Sequence, residues 1–272
     1  MRRSFVAGIL VVLTLAACGS GSTGKATGSG SSKVSTVALV AGAADAAAEA
    51  RTAKLSGSMT IAISGRQVDV PIDGAIDFER QAASLRVDMS KLGQGVMSGA
   101  MEIRIVDGSM YMNMGALLGA RADALLGGKD WIGVDMSGLG ADSGTQNPAD
   151  MLQSLRGAGD VREVGHATID GTETTQYHAD IDVAKAMEKV PEKYRASAAA
   201  GMKVLGTTFP IDVWIDGDGL PRRFEIDIEI PGKGSVKESI DYTDFGADVS
   251  IDAPPADQVQ SMADFQRAAS GV

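Results

Sequence analysis

The spacing of apolar side chains changes from helical to alternating at about residue 54. Between Val34 and Lys54 an alanine-rich stretch carries apolar residues at helical intervals, which predicts one helix of about four turns. Beyond Lys54 the period becomes two, because Met59, Ile61 and Ile63 alternate with small or polar residues. The chain therefore predicts one helix followed by strands.

The alternation recurs along most of the remaining chain. Turn signals such as Asp107-Gly108 and Asp170-Gly171 separate the runs, and each run has one apolar and one polar face, which indicates an antiparallel meander. We predict about ten strands and three or four helices. The further helical segments are a glycine-interrupted patch at 115–129, a helix at 148–156 capped by Asn147, and a helix at 183–200 that Pro191 interrupts. The two halves share this plan without a clear sequence repeat, so we expect one α+β domain.

The first residues have the pattern of a secretory signal. Arg2 and Arg3 precede an apolar run from Phe5 to Leu15, which is shorter than the roughly 20 residues that a membrane-spanning helix needs. Cys18, the single cysteine of the chain, directly follows Leu-Ala-Ala. This arrangement resembles the bacterial lipobox and implies that Cys18 becomes the first mature residue and carries diacylglycerol on its sulfur. The alternative is an ordinary signal peptide whose cleavage site lies beside a cysteine.

These patterns divide the chain into four parts. We expect a signal peptide at 1–17, a lipidated N-terminus with a flexible Gly/Ser tether at 18–33, a folded α+β domain at 34–253, and a polar C-terminal tail at 254–272 that frays. The protein is then extracytoplasmic and anchored to the cell membrane through Cys18.

Composition narrows the classes of partner. The formal net charge is −10, and it becomes −12 once Arg2 and Arg3 leave with the signal peptide. An acidic surface of this kind argues against nucleic-acid binding and against adhesion to anionic membranes, so the acyl chains on Cys18 must hold the protein at the membrane. Aromatic residues make up 4% of the chain while methionine occurs 13 times, so the interior must consist of aliphatic and thioether groups.

Three groups of residues suggest chemistry, and each has a simpler structural interpretation. His166 and His178 flank the turn at Asp170-Gly171 and could form a metal site or an acid–base pair, but two surface histidines are the better interpretation. The sequence Asp216-Gly-Asp-Gly219 resembles the start of a calcium loop. It better fits a hairpin turn, because Leu220 stands at the fifth position of the loop and Asp227, at the twelfth, belongs to the next strand. Met110, Met112 and Met114 could bind copper, but their alternation is typical of the apolar face of a strand.

No constellation of a catalytic kind is present in the sequence. The chain lacks a Gly-x-Ser-x-Gly elbow with a plausible histidine partner, a phosphate-binding loop of the P-loop type and a zinc-protease spacing. We therefore expect no enzymatic activity, no cofactor and no metal.

Four short stretches resemble the actinobacterial LppX/LprG family of lipoproteins. They are Ile105-Val-Asp-Gly-Ser-Met-Tyr111, Trp131-Ile-Gly-Val-Asp135, Ile169-Asp-Gly-Thr-Glu-Thr-Thr-Gln-Tyr177, and Asp212-Val-Trp-Ile-Asp216 followed by Gly219-Leu-Pro-Arg-Arg223. The resemblance implies a strongly curved antiparallel half-barrel of the LolA type, with helices over its concave face and an apolar cavity for acyl chains. It also implies binding of an acylated lipid or lipoglycan and its transfer within the cell envelope.

The hypothesis that follows is a membrane-anchored, non-catalytic lipid carrier, for which a membrane transporter is a candidate partner. The alternative is a ligand-free envelope scaffold, or a sensor or interaction domain for a membrane partner. The expected cavity lining is Met59, Ile61, Ile63, Ile103, Ile105, Met110 and Met112 on strands, facing Leu117, Leu118, Leu152, Leu155 and Met187 on helices.

Overall fold

One mixed sheet organises the part of the chain that the structure describes. The computed structural model describes residues 36–63, 65–91, 99–136, 161–184, 207–230, 232 and 234–270. Within these residues, twelve strands form a single open sheet in the order β12-β6-β5-β4-β3-β2-β1-β11-β10-β9-β8-β7. The strands are β1 (Thr52–Ile63), β2 (Arg66–Asp77), β3 (Ala82–Asp88), β4 (Ala100–Val106), β5 (Ser109–Asn113), β6 (Trp131–Asp135), β7 (Arg162–Ile169), β8 (Thr172–Asp182), β9 (Thr208–Asp216), β10 (Pro221–Ile230), β11 (Gly234–Thr243) and β12 (Val259–Ser261).

Few helices accompany the sheet in the described residues. They are α1 (Thr36–Ala50), α2 (Gly115–Leu118), α3 (Ala122–Leu126) and α4 (Met262–Ser270), with a 3₁₀ turn at Gly119–Arg121 between α2 and α3 and another at Ala256–Gln258. The expected glycine-interrupted helical patch at 115–129 is therefore confirmed. None of these helices is long and apolar enough to span a membrane.

The sheet consists of two antiparallel meanders. The strands β1 to β6 follow one another in space, as do β7 to β11, and the halves join where β1 pairs with β11. This pairing extends from Lys54 opposite Thr243 to Ile63 opposite Gly234, so two of the longest strands lie at the centre of the sheet. The predicted α+β class and the strongly curved half-barrel are confirmed, although the sheet is mixed because β12 is parallel to β6.

Two glycines allow neighbouring strands to approach closely on the inner face of the curved sheet. A Cβ atom at Gly57 of β1 would lie 2.0 Å from the carbonyl oxygen of Ser239, and one at Gly74 of β2 would lie 2.1 Å from that of Ser84. Any side chain at these positions would collide with the backbone of the adjacent strand. Glycine in a strand interior is typical of such close approaches.

The main hydrophobic core lies against the inner face. Alternate residues of every strand from β1 to β5 and from β8 to β11 enter one apolar cluster, and α1 contributes Val40, Ala43, Ala44 and Ala47 to it. The small alanine side chains let the helix backbone come close to the sheet. α1 is shorter than predicted, since it ends at Ala50 and Arg51 adopts a left-handed φ of 67°.

The outer face is partly covered by the end of the chain. Ile251 packs with Ala82 and Val106 in a second, smaller cluster, and Val259 to Ser261 then extend the sheet beside β6. Ser261 caps α4, because its hydroxyl oxygen accepts a hydrogen bond of 3.1 Å from the amide of Asp264. The expectation of a fraying tail at 254–272 is wrong for the residues described up to 270, because pairing and capping order them.

Two predicted helices fall mainly outside the described residues. The segment 148–156 and its cap Asn147 lie wholly outside, and of the segment 183–200 only Val183 and Ala184 are described, both of them helical. Cys18 and the tether also lie outside the described residues.

Candidate ligand-binding face

The inner face is packed at one end and partly open at the other. Near the start of β1, Ala53, Leu55, Ile240 and Tyr242 are buried within the cluster that includes α1. Toward the far end of the same strands, apolar side chains of four adjacent strands keep part of their surface exposed. We call this set the open patch; it consists of Met59, Ile61, Val68, Ile226, Ile230 and Val236.

The strand register makes the open patch continuous. Ile61 lies opposite Val68 of β2 on one side and opposite Val236 of β11 on the other. Val236 in turn lies opposite Ile228 of β10, and Ile226 follows two positions along the same face. Directly opposed residues on one face have Cβ atoms about 5 Å apart, so these side chains touch one another.

Several residues of the expected lining lie on this inner face. Ile103 and Ile105 are buried in the cluster, and Met59, Ile61, Met110 and Met112 pack against it while retaining some exposure. This placement confirms that Met110 and Met112 belong to the apolar face of a strand, as their alternation predicts.

The other residues of the expected cavity lining are buried, lie at the rim of the inner face or fall outside the described residues. Leu117 of α2 is buried in the cluster, whereas Leu118 is half-buried and lies outside it. Ile63 is 50% exposed at the end of β1, beside the turn to β2, so it lies at the rim of the face. Leu152, Leu155 and Met187 lie outside the described residues.

The packed end of the face is built on an aromatic pair. The rings of Phe224 and Tyr242 meet edge to face with centroids 5.9 Å apart. Such contacts stabilise beyond the area they bury, by about 0.5–1.5 kcal/mol. Burial, with a further contribution from the nearby Glu238 carboxyl, raises the pKa of the Tyr242 hydroxyl well above its ordinary value, so Tyr242 is neutral at physiological pH.

Among the residues on the inner faces of β1, β10 and β11, Glu238 is the single one with an acidic or basic side chain. It lies opposite Met59 on β1 and opposite Ile226 on β10. Burial raises the pKa of its carboxyl above the ordinary value near 4.5, and no hydrogen bond or positive charge from the described residues counters that shift. The side chain is therefore flanked by apolar residues, and it keeps a partly exposed surface.

Sequence reasoning missed Glu238 and the C-terminal half of the face, since every strand residue of the expected lining came from the first half of the chain. A signal was present in the alternation of β11. Val236, Glu238, Ile240 and Tyr242 share one phase, and Lys237, Ser239 and Asp241 share the other. A carboxylate at a position where the alternation of a central strand calls for an apolar residue is an exception to that alternation.

The opposite face of β9, β10 and β11 carries the charged residues in pairs. Arg223 donates two hydrogen bonds to the Asp241 carboxylate, at 2.5 and 2.7 Å, and Lys237 lies 2.6 Å from the Glu225 carboxylate. In this part of the sheet, the inner face is thus apolar and the outer face carries ion pairs. Partially exposed pairs of this kind add modestly to stability.

The two histidines lie on opposite faces of the sheet. A bulge between Glu163 and Gly165 sets the register so that His166 lies opposite Thr175 on the inner side, and it is largely exposed. His178 points to the outer side, where its Nδ1 lies 3.1 Å from the Asp212 carboxylate, and only 17% of its side chain is exposed. The expectation of surface histidines is confirmed for His166, whereas His178 lies on the outer surface with only part of its side chain exposed. Because they face opposite sides of the sheet, the two cannot share a metal or a proton.

The carboxylate of Asp216 holds a hairpin turn. One oxygen accepts hydrogen bonds from the amides of Asp218 and Leu220, and the other accepts one of 2.6 Å from Nε of Arg222. These partners confirm the hairpin-turn interpretation of Asp216-Gly-Asp-Gly219. No group of three or more histidine, cysteine, aspartate or glutamate side chains within the described ranges is placed to hold a metal ion.

Apart from the open patch, a cavity lies at the edge of the sheet, between the ends of β7, β8 and β9. Its volume is about 480 Å³, and its walls include His166, Thr168, Glu173, Thr175 and Asp216. The walls are mixed in polarity and open to solvent, so this cavity is a less suitable place for an acyl chain than the open patch.

Comparison with known proteins shows that the fold of this chain is similar to that of solved structures. No protein-family model matches the sequence, and no curated protein matches it. Among solved structures, the lipoprotein LppX of Mycobacterium tuberculosis matches with a TM-score of 0.51 at 17% identity, over 80% of this chain and 98% of LppX. LprF of Mycobacterium bovis matches with a TM-score of 0.44 at 18% identity, over 81% of this chain and 97% of LprF.

A LolA superfamily protein of Nitrosomonas europaea matches with a TM-score of 0.32 at 9% identity, over 82% of this chain and 96% of that protein. At these levels of identity, a likeness establishes the fold. The resemblance suggested by the four sequence stretches is therefore confirmed at the level of architecture, and the chain has the fold of LppX.

Proposed function

We propose that this protein is a non-catalytic envelope lipoprotein that binds an acylated lipid or lipoglycan against the inner face of its sheet. The observation that carries the proposal is the open patch, where apolar side chains from β1, β2, β10 and β11 remain partly exposed on the inner face. Exposed apolar surface that is contiguous and concave is typical of ligand-binding sites.

The chemistry of the patch suits acyl chains. It is aliphatic and thioether in character, and each CH₂ group that leaves water on it contributes about 0.8 kcal/mol. Methionine at Met59, Met110 and Met112 adapts its shape to irregular partners, so the same face can accept chains of different length. The LppX fold and the lipoprotein character of LppX itself support this proposal.

Lipidation of Cys18 completes the proposal. Diacylglycerol on its sulfur would anchor the mature chain to the membrane, and the Gly/Ser tether at 18–33 would let the domain approach the bilayer to load and unload its ligand. A membrane transporter is a candidate donor or acceptor of that ligand.

Native mass spectrometry of the mature chain without its anchor, residues 19–272, tests the proposal. This form retains every residue that the structure describes. We expect a lipid to co-purify, or a fluorescent hydrocarbon such as diphenylhexatriene to bind after the protein is delipidated. A protein that carries no lipid and takes up neither lipid nor hydrocarbon would favour the alternative of a scaffold or sensor domain.

A pair of variants on β1 locates the site. Ile61→Gln places an amide on the inner face, and we expect it to weaken hydrocarbon binding about 3- to 10-fold because part of the apolar contact is lost. Ala62→Gln places the same amide on the outer face of the same strand and serves as the control. Equal affinities of the two variants would place the ligand elsewhere.

A further inference from the structure

The position of Glu238 is unusual for a carboxylate. It lies on β11, one of the two strands that join the meanders, at the boundary between the packed end and the open patch. Its neighbours on the inner face are Met59 and Ile226 across the strands and Val236 and Ile240 along its own strand. None of these side chains can donate or accept a strong hydrogen bond.

The environment favours the uncharged form of the carboxyl. An ionised carboxylate in apolar surroundings is costly unless it is paired, and the described residues that face Glu238 offer no cation. Among the described residues, the titratable group that acts on it is the hydroxyl of Tyr242, which is itself held neutral. A protonated carboxyl has an O–H group that can donate one hydrogen bond, and within the described residues no protein acceptor satisfies it.

We propose, on the basis of the proposed function, that Glu238 donates a hydrogen bond to an uncharged ester carbonyl at the root of an acyl chain, so that the protein selects neutral acyl esters over plain hydrocarbons and over amines. The apolar neighbours hold the chain, and the carboxyl holds its first polar group. Because Glu238 lies at the inner limit of the open patch, the ester is placed beside the packed end and the chain lies along Ile61 and Val236.

Other ligand chemistries fit the site less well. A cationic head group would need an ionised carboxylate, which the surrounding methionine and isoleucine side chains disfavour. A pure hydrocarbon would leave the carboxyl O–H without an acceptor, and an unsatisfied buried polar group lowers the affinity relative to a ligand that accepts the bond. An ester carbonyl satisfies that O–H and brings no charge.

A competition experiment tests this selection. The mature chain, residues 19–272, is loaded with diphenylhexatriene, and three competitors of similar chain length displace it: methyl oleate, octadecene and oleylamine. The proteins compared are the natural chain, Glu238→Gln, Glu238→Leu and Glu229→Leu. Glu229 is exposed on the outer face of β10 and therefore provides a matched control for the loss of a carboxylate from the sheet.

We expect methyl oleate to bind the natural chain about 3- to 10-fold more tightly than octadecene, which is the gain typical of one net hydrogen bond. Glu238→Gln should keep this preference, since its amide still donates, whereas Glu238→Leu should remove it, because octadecene and diphenylhexatriene then meet no unsatisfied polar group and bind at least as tightly as they bind the natural chain. Glu229→Leu should behave as the natural chain does.

Two results would overturn the inference while the proposed function stands. One is a preference for methyl oleate that survives in Glu238→Leu. The other is a preference of the natural chain for oleylamine that disappears in Glu238→Leu, which would mean that Glu238 acts as an anion. A natural chain that does not bind diphenylhexatriene at all would refute the proposed function, and the inference would fail with it.

Discussion

A carboxyl group at an apolar position of a central strand costs free energy unless it is protonated or paired. Glu238 occupies such a position between Met59 and Ile226, and burial raises its pKa above the value near 4.5 that it has in the unfolded chain. In the range between these two pKa values the folded protein holds a proton that the unfolded chain has released. Stability must therefore fall as the pH rises through this range.

The residue-scale prediction concerns Glu238→Gln, which removes the titrating group. We expect the variant to gain stability relative to the natural chain as the pH rises above about 4.5, because burial in the natural fold favours the protonated carboxyl whose proton the unfolded chain has released. Chemical denaturation at several pH values measures the difference. The outer-face variant Glu229→Gln should show no such trend, and a difference for Glu238→Gln that stays constant with pH would mean that Glu238 is ionised in the fold.

The surroundings of individual polar side chains were the feature of the structure that the sequence predicted least well. Alternation places Glu238 in phase with Val236, Ile240 and Tyr242, but it cannot say whether another element supplies a partner. For His178 the sequence suggested a surface position, whereas the Asp212 carboxylate of the adjacent strand lies against its ring and leaves the side chain only partly exposed. Such outcomes depend on register across strands that are distant in sequence.

At the scale of elements, the hairpins were predictable because their turns are marked. Asp107-Gly108 and Asp170-Gly171 both have positive φ at each residue, which matches the twist of the flanking strands, and these dipeptides are favoured in such turns. β12 was not predicted, because it has only three residues and therefore shows no alternating pattern in the sequence. It joins the sheet by pairing in parallel with β6.

The element-scale prediction compares two glycines. Gly57→Ala should lower the free energy of unfolding by about 1–3 kcal/mol, because the new methyl group would lie 2.0 Å from the carbonyl oxygen of Ser239 in the adjacent strand. Gly42→Ala is the control, since nothing lies within 4 Å of its new methyl group and alanine favours helix α1 by about 0.5–1 kcal/mol. Thermal or denaturant unfolding measures both, and a neutral Gly57→Ala would contradict the close approach at this position.

At the scale of the whole molecule, the pattern of the chain predicts the α+β class and the apolar inner face, since both follow from alternation within single strands. The order of the strands does not follow from local pattern. The pairing of β1 with β11 joins residues almost 200 positions apart, as in the contact of Lys54 with Asp244. The family resemblance supplied the architecture, and the structure adds which end of the inner face is packed and which is open.

If the open patch binds the ligand, an acyl chain lies along the inner face of β1, β10 and β11. Photo-crosslinking tests it most directly: the mature chain is incubated with a fatty acyl ester that carries a diazirine on its chain, irradiated, digested and mapped by mass spectrometry. We expect labels on the inner residues Met59, Ile61, Ile226 and Val236, and we expect excess methyl oleate to reduce them. Labels confined to outer-face residues such as Lys237 and Glu229, or labels that methyl oleate does not reduce, would contradict it.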